Sequence, residues 1–176
     1  IVEIDVCHLQ SEPSNILRKA IAAYAKENDL SFYDIKQHEG FLRNMIVRIA
    51  TTGELMVNIV FGYEDGDARK RLLDYVLQQF PSITTLLYTI NSKLNDSLHG
   101  LEPIPFFGKG FIMETLEDFQ FKISPKSFFQ TNTKQAEKLY QITRGFAELN
   151  GTETVYDLYC GTGSIGIFLS KQAEKI

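Results

Sequence analysis

Val155-Tyr156-Asp157-Leu158-Tyr159-Cys160-Gly161-Thr162-Gly163-Ser164-Ile165-Gly166 reads as a buried strand, a glycine turn and the start of a helix. Thr154 to Leu158 is a short β-prone run, Gly161 and Gly163 tolerate the positive φ of a tight turn, and Ile165, Ile167, Phe168 and Leu169 suit a helix packed on a sheet. Such a turn lets a ligand approach backbone N–H groups at a helix N-terminus. An acid at the strand end, here Asp157, is placed to accept hydrogen bonds from the same ligand. An adenosine-type cofactor suits this arrangement.

Gly161, Gly163 and Gly166 also satisfy the spacing of the dinucleotide fingerprint, which keeps a nicotinamide or flavin enzyme open. The second element of that fingerprint is an acid roughly 20 residues further on, and Ile176 is reached before that position.

The chain has 176 residues, of which 44% are hydrophobic, enough for one or two domains with a packed core. No apolar run approaches the roughly 20 residues of a membrane span, and the start, Ile1-Val2-Glu3-Ile4-Asp5, lacks the basic and apolar regions of a secretory signal. A cytoplasmic protein with no membrane partner is expected. Because the first residue is not methionine and only one βα unit follows Thr154, the chain reads as an internal fragment.

Net charge is −4, from 18 Lys plus Arg against 22 Asp plus Glu, and no long basic block argues for nucleic acid. Two local basic groups stand out, one of Lys36, His38, Arg43 and Arg48, the other of Lys109, Lys122 and Lys126; ordinary solvated surface charge is the simpler reading of each. The two cysteines, Cys7 and Cys160, lie far apart without CxxC spacing, so neither a disulfide framework nor a complete zinc site is indicated.

Along the chain, Ile16, Leu17, Ala20, Ile21 and Tyr24 form a helical stripe that ends near Asn28-Asp29. Arg43 to Ala50 and Glu54 to Phe61 are strand-like runs joined by Thr51-Thr52-Gly53, a hairpin. Gly66-Asp67 opens a second helix with Ala68, Leu72, Leu73, Val76, Leu77 and Phe80 at helical spacing, stopped by Pro81 and followed by a strand from Ile83 to Ile90. Two helices on one face of an antiparallel sheet are expected. Short strand-like pieces run from Leu98 to Ile123, and a domain boundary is expected between Ile123 and Ser124, giving domains 1–123 and 124–176. Asn132, with Gln135 three residues on, is a cap for a helix burying Ala136, Leu139, Tyr140, Phe146 and Ala147.

Ser124-Pro125-Lys126-Ser127-Phe128-Phe129-Gln130-Thr131-Asn132, followed by a helix and then Asp157-Leu158-Tyr159-Cys160-Gly161-Thr162-Gly163, resembles the RNA uracil-C5 methyltransferase family, most of all its bacterial ribosomal RNA members. Gly40-Phe41-Leu42-Arg43-Asn44-Met45-Ile46-Val47-Arg48 and Asn95-Asp96 are similar to that family's central region. The resemblance implies an α/β fold, with an α+β central domain followed by the start of a Rossmann-like S-adenosylmethionine-dependent domain. It also implies methyl transfer from S-adenosylmethionine to C5 of a uridine in RNA, with ribosomal RNA the expected substrate. C5 is a poor nucleophile, so these enzymes add a cysteine thiolate to C6, methylate the resulting enolate, and remove the C5 proton with a general base.

By this resemblance Gln130 falls on a cofactor-contacting glutamine, Tyr159 and Ser164 on positions lining the cofactor, and Gly161 and Gly163 on the turn beside it, to which the strand-end Asp157 adds an acceptor. Phe128 and Phe129 shape the same wall or pack in the core. The nucleophile and base of the family fall beyond Ile176, so Cys160 reads as a small buried residue rather than the nucleophile. Cys7 matches the last of four cysteines that hold a 4Fe-4S cluster in some members, and one cysteine alone cannot carry it. Arg43 and Arg48 are the expected RNA contacts on the central domain. A nicotinamide-dependent oxidoreductase and a non-catalytic RNA-binding module remain the rival readings, and the fragment alone is expected to be inactive.

Overall fold

The computed structural model describes residues 4–176. These form two compact units, the first comprising the chain to Ile49 together with Leu55–Gly110, the second Ala50–Glu54 with Phe111–Ile176. The units part at Gly110 and Phe111 rather than at Ile123 and Ser124, because the strands after Phe111 pair with each other and not with the first sheet.

The first unit opens with helix α1 (Ser14–Glu27), followed by strands β1 (Leu42–Ile49) and β2 (Leu55–Phe61), helix α2 (Gly66–Gln79), and strands β3 (Thr85–Ile90) and β4 (Ile104–Phe107). Helix, strand, strand, helix, strand is the order that apolar periodicity predicts. The sheet order is β1-β2-β3-β4, but the sheet is mixed. β1 and β2 are an antiparallel hairpin pair, whereas β3 runs parallel to β2 and β4 antiparallel to β3. The expected all-antiparallel sheet fails because α2 carries the chain back along the sheet before β3 begins, and a crossover through a helix makes the next strand parallel.

α1 and α2 cover one face of this sheet. Leu17, Ile21 and Ala25 of α1 and Ala68, Leu72, Leu73 and Val76 of α2 pack with Leu55, Val57, Ile59 and Phe61 of β2 and Leu86 of β3. Tyr24 and Tyr75 stack between the helices with ring centroids 4.4 Å apart. α2 is fixed at its start by the Asp65 side chain, which accepts from the Ala68 amide at 3.0 Å. Each buried leucine of this layer contributes about 2–5 kcal/mol against alanine.

Arg43 anchors the long connection between β3 and β4. Its side chain is only 2% exposed. It donates from Nη1 to the carbonyls of Asn91 (2.8 Å) and Lys93 (2.5 Å), and from Nε and Nη2 to Asp96 Oδ1 (3.1 Å each). The guanidinium also lies 4.1 Å from the Tyr33 ring centroid. Four of its donors are thereby committed inside the unit, where Arg43, the first of the two arginines expected to contact RNA, holds a loop.

In the second unit, β5 (Ile112–Leu116) and β6 (Phe119–Ile123) form a hairpin, followed by helix α3 (Thr133–Ala147), the short helix α4 (Ser164–Leu169) and a 3-10 turn over Ser170–Gln172. Glu114 of β5 is buried, at 3% exposure, with no cation beside it. Its carboxylate accepts from the Thr51 amide (3.1 Å), the Thr51 hydroxyl, the Thr115 amide (2.9 Å) and the Thr133 hydroxyl (2.8 Å). The tip of the β1–β2 hairpin, the β5 backbone and the first residue of α3 therefore converge on one side chain. The cap expected for α3 forms, Asn132 Oδ1 accepting from the Gln135 amide at 3.1 Å. Its buried face is narrower than expected: Ala136 and Tyr140 are buried, but Leu139, Phe146 and Ala147 are exposed, because β6 and α4 cover a single line of the helix.

The β5–β6 turn places Glu117 in the left-handed region (φ 47°). Its carboxylate takes two bonds of 2.8 Å from Arg144 and one of 3.1 Å from Gln141. The hydrogen bonds from Arg144 hold the Glu117 carboxyl below its ordinary range.

Two expectations follow. Replacing Glu114 with Gln puts an amide N–H2 where a carboxylate oxygen meets donors, and urea unfolding should register a loss of about 2 kcal/mol in the second unit; an unchanged midpoint would contradict the role given to Glu114. Because the folded Glu117 pKa is depressed, its stabilising contribution is present above the unfolded carboxylate range and is lost as pH falls through the folded value. Thermal unfolding of Glu117→Gln should accordingly show a shallower loss of stability between pH 5 and pH 3 than the parent chain.

Candidate cofactor site

The sequence from Thr154 to Leu158 is β-prone, yet a strand does not form. Thr154 makes a single parallel bridge to Lys175, with the Val155 amide donating to the Lys175 carbonyl at 2.8 Å. Residues 156–158 have no ladder partner among the described residues, and a strand without a neighbour has nothing to hold it extended. The glycine turn and the helix after it do form. Tyr159, Gly161 and Gly163 all adopt left-handed backbone, with φ of 59°, 57° and 70°. The Gly163 amide donates to the Cys160 carbonyl at 2.8 Å, and α4 starts at Ser164.

The glycines leave backbone open. A Cβ on Gly161 would meet nothing within 4 Å, and one on Gly163 would touch only the end of Ile167, at 3.8 Å. Gly166 is different, because a Cβ there would lie 2.8 Å from Asp157 Oδ2. That oxygen accepts from the Gly166 amide at 2.9 Å. Asp157 thus caps the first turn of α4 from across the turn, a task that Gly163, with no side chain, cannot perform. Its other oxygen, Oδ1, has no hydrogen bond among the described residues.

An open cleft of about 530 Å³ runs beside this turn, within the size range of small-molecule sites. Asp157, Cys160, Gly163, Gly166, Ile167 and Ser170 contribute to its lining. Asp157 and Gly163, two of the residues expected at a cofactor, therefore share one cleft. Tyr159, Gly161, Ser164 and Gln130 do not line it. Tyr159 stands fully exposed, and Ser164 turns the other way, its hydroxyl 2.9 Å from that of Tyr140 on α3.

Gln130 is presented by a different device. Ser124 and Ser127 close a turn, with the Ser127 amide donating to the Ser124 carbonyl (3.1 Å) and the two hydroxyls 2.8 Å apart. Beyond it the chain alternates: Phe128 is exposed, Phe129 is buried with its ring 5.5 Å from that of Phe121, and Gln130 is exposed. Of the two phenylalanines, Phe129 is a core residue and Phe128 is open to solvent. Cys160, read from sequence as buried, is exposed and lines the cleft, because the strand that would have enclosed it does not form.

Arg48, the second basic residue expected to face RNA, is half-buried, and burial pushes its guanidinium pKa down. Cys7 is half-buried, and its backbone is held by Asn15, whose Oδ1 accepts from the Cys7 amide at 2.8 Å. No group of three residues suited to a metal occurs among the described residues. A single thiol does not fit a 4Fe-4S cluster, and no chemistry is drawn through one. The bond between Tyr140 and Ser164 and the capping bond of Asp157 were invisible in sequence; the only hint was Gly166, a glycine where a helix would favour alanine.

No family model matches the chain. It is 46% identical over its whole length to an uncharacterized RNA methyltransferase of Bacteroides thetaiotaomicron, and 38% identical to one of Clostridium acetobutylicum. The chain spans 39% of the length of each of these relatives. Among solved structures, it is similar to the tRNA (uracil-54, C5)-methyltransferase of Pyrococcus abyssi in complex with S-adenosyl-L-homocysteine, with a TM-score of 0.76 and 32% identity over 97% of this chain and 41% of that one. By sequence along its whole length and by fold along nearly all of it, the chain is similar to one part of these RNA methyltransferases.

Proposed function

We propose that the chain contributes the cofactor turn and a central domain to an enzyme that transfers a methyl group from S-adenosylmethionine to C5 of a uridine in RNA. The observation that carries this reading is the left-handed turn of Tyr159, Gly161 and Gly163, open on its glycine side and closed on Asp157 through the Gly166 amide. The similarity to a uracil-C5 methyltransferase bound to S-adenosylhomocysteine supports the same cofactor at the same turn.

When bound, S-adenosylmethionine supplies an electrophilic methyl group on a sulfonium. The residues of this chain fit the rest of that molecule in chemical type. The free oxygen of Asp157 is an acceptor for hydroxyl or ammonium donors, the Gly161 and Gly163 backbone admits close approach, and exposed Gln130 offers a neutral hydrogen-bonding group. Nothing in this set acts as nucleophile or base. The thiolate that adds to C6 and the base that takes the C5 proton belong to other parts of the enzyme in this reading, and Cys160 packs beside the cofactor. Ribosomal RNA is the substrate we put first, transfer RNA second, and the setting is the cytoplasm.

Binding of S-adenosylhomocysteine to the full-length protein, followed by titration calorimetry, tests the cofactor assignment. Asp157→Asn keeps a capping oxygen for Gly166 but loses the charge, and should weaken binding about tenfold. Gly163→Val forces a β-branched residue into left-handed backbone and should abolish it. Saturable binding of NAD with no response to S-adenosylhomocysteine would favour the oxidoreductase reading instead.

A further inference from the structure

The loop that joins β1 to β2 is fastened almost entirely by polar groups. Its residues Ala50–Glu54 belong to the second unit, although the strands on either side belong to the first. Thr51, Thr52 and Gly53 are exposed, so little apolar surface holds this tip down. The Thr52 hydroxyl donates to the Met113 carbonyl at 2.8 Å, and Glu54 accepts from the Met113 amide. Both backbone groups of Met113 on β5 are thereby taken by side chains of the tip, as a neighbouring strand would take them. Thr51 gives its amide and its hydroxyl to Glu114. A segment held by hydrogen bonds over little buried apolar area opens locally at low free-energy cost.

What the tip fastens leads to the cofactor turn. Glu114 also accepts, at 2.8 Å, from the hydroxyl of Thr133, the first residue of α3. α4 rests on α3 through three contacts. The Tyr140 hydroxyl lies 2.9 Å from that of Ser164, the Tyr140 ring meets Phe168 at 5.6 Å and 64°, and the Arg144 guanidinium lies 4.6 Å from the Phe168 ring centroid. α4 in turn follows the left-handed Gly163 and carries the Gly166 amide that Asp157 caps.

We propose that the tip of the β1–β2 hairpin is a latch, closed when Thr51 is bonded to Glu114, and that Glu114 and Thr133 are positioning residues through which the closed latch keeps the cofactor turn in its binding shape. The inference rests on the cofactor reading of the turn given above. Opening withdraws the Thr51 donors from a carboxylate that is 3% exposed. That carboxylate must then turn to water and gives up Thr133 as it does so. α3 loses the bond that fixes its first residue, and α4 and the turn, seated on α3, loosen with it. Because coupling between two sites is reciprocal, cofactor bound at the turn also holds the latch shut.

Hydrogen exchange of the full-length protein, read by mass spectrometry with and without saturating S-adenosylhomocysteine, tests it. In the unmodified protein the ligand should slow exchange at residues 159–166 and, by about fivefold or more, at residues 50–54, the lower end of couplings between sites. Thr133→Val keeps the shape of the side chain and deletes the hydroxyl that joins Glu114 to α3. It should still bind the ligand and protect 159–166, but the slowing at 50–54 should disappear. Thr133→Ser, which restores the hydroxyl, should bring it back. If Glu114 is merely structural, or the tip exchanges only through global unfolding, the slowing at 50–54 persists in Thr133→Val. That result, or protection of 159–166 with none at 50–54 in the unmodified protein, would overturn the proposal while leaving the cofactor reading intact. Failure of the unmodified protein to bind S-adenosylhomocysteine would remove the cofactor reading itself, and this inference with it.

Discussion

A buried carboxylate with four neutral donors and no counter-ion organises the second unit. A charge taken out of water is costly unless hydrogen bonds replace its hydration, and Glu114 meets that demand from three separated pieces of chain: Thr51, Thr115 and Thr133. Because Thr133 opens α3, the carboxylate fixes where that helix begins, and with it the line along which Ala136 and Tyr140 are buried. Tyr140 then reaches Ser164 at the head of α4, and Asp157 closes that helix from the other side of the turn. The cofactor turn is held at its two ends by hydrogen bonds to separate elements.

The first unit follows a different logic. Its sheet is covered on one face by two helices whose apolar residues meet a strand, β2, that is buried at every position. What makes it more than a packed layer is Arg43, which spends its donors on the backbone carbonyls of Asn91 and Lys93 and on Asp96. A long connection ordered by a buried guanidinium is a rigid surface rather than a tether, and rigid loops on a scaffold are where binding function concentrates.

Local signals were legible in the sequence and pairwise ones were not. Periodicity located α1, β1, β2, α2 and β3 to within a residue or two, and Asn132 announced the start of α3. Gly161 and Gly163 marked a turn whose φ angles come out left-handed. The strand from Thr154 failed because β propensity is satisfied only by a neighbour to pair with. Sheet direction was missed because a hairpin pattern was extended across a helical crossover. The bonds of Arg43 were not legible, because a charge in a sequence looks the same whether it faces solvent or a carbonyl 48 residues away. The Glu114 cluster, the Tyr140–Ser164 bond and the Gly166–Asp157 contact join residues separated in sequence, and a single chain gives no sign of them.

The most direct test of the central claim follows tritium release from RNA labelled at uridine C5, incubated with the full-length protein and S-adenosylmethionine. Release that depends on the cofactor and stops with Gly163→Val is the predicted result, since substitution at C5 must expel the hydrogen there. Methyl groups reaching RNA without release would place the reaction at another atom, and neither methylation nor release with ribosomal and transfer RNA would contradict the account.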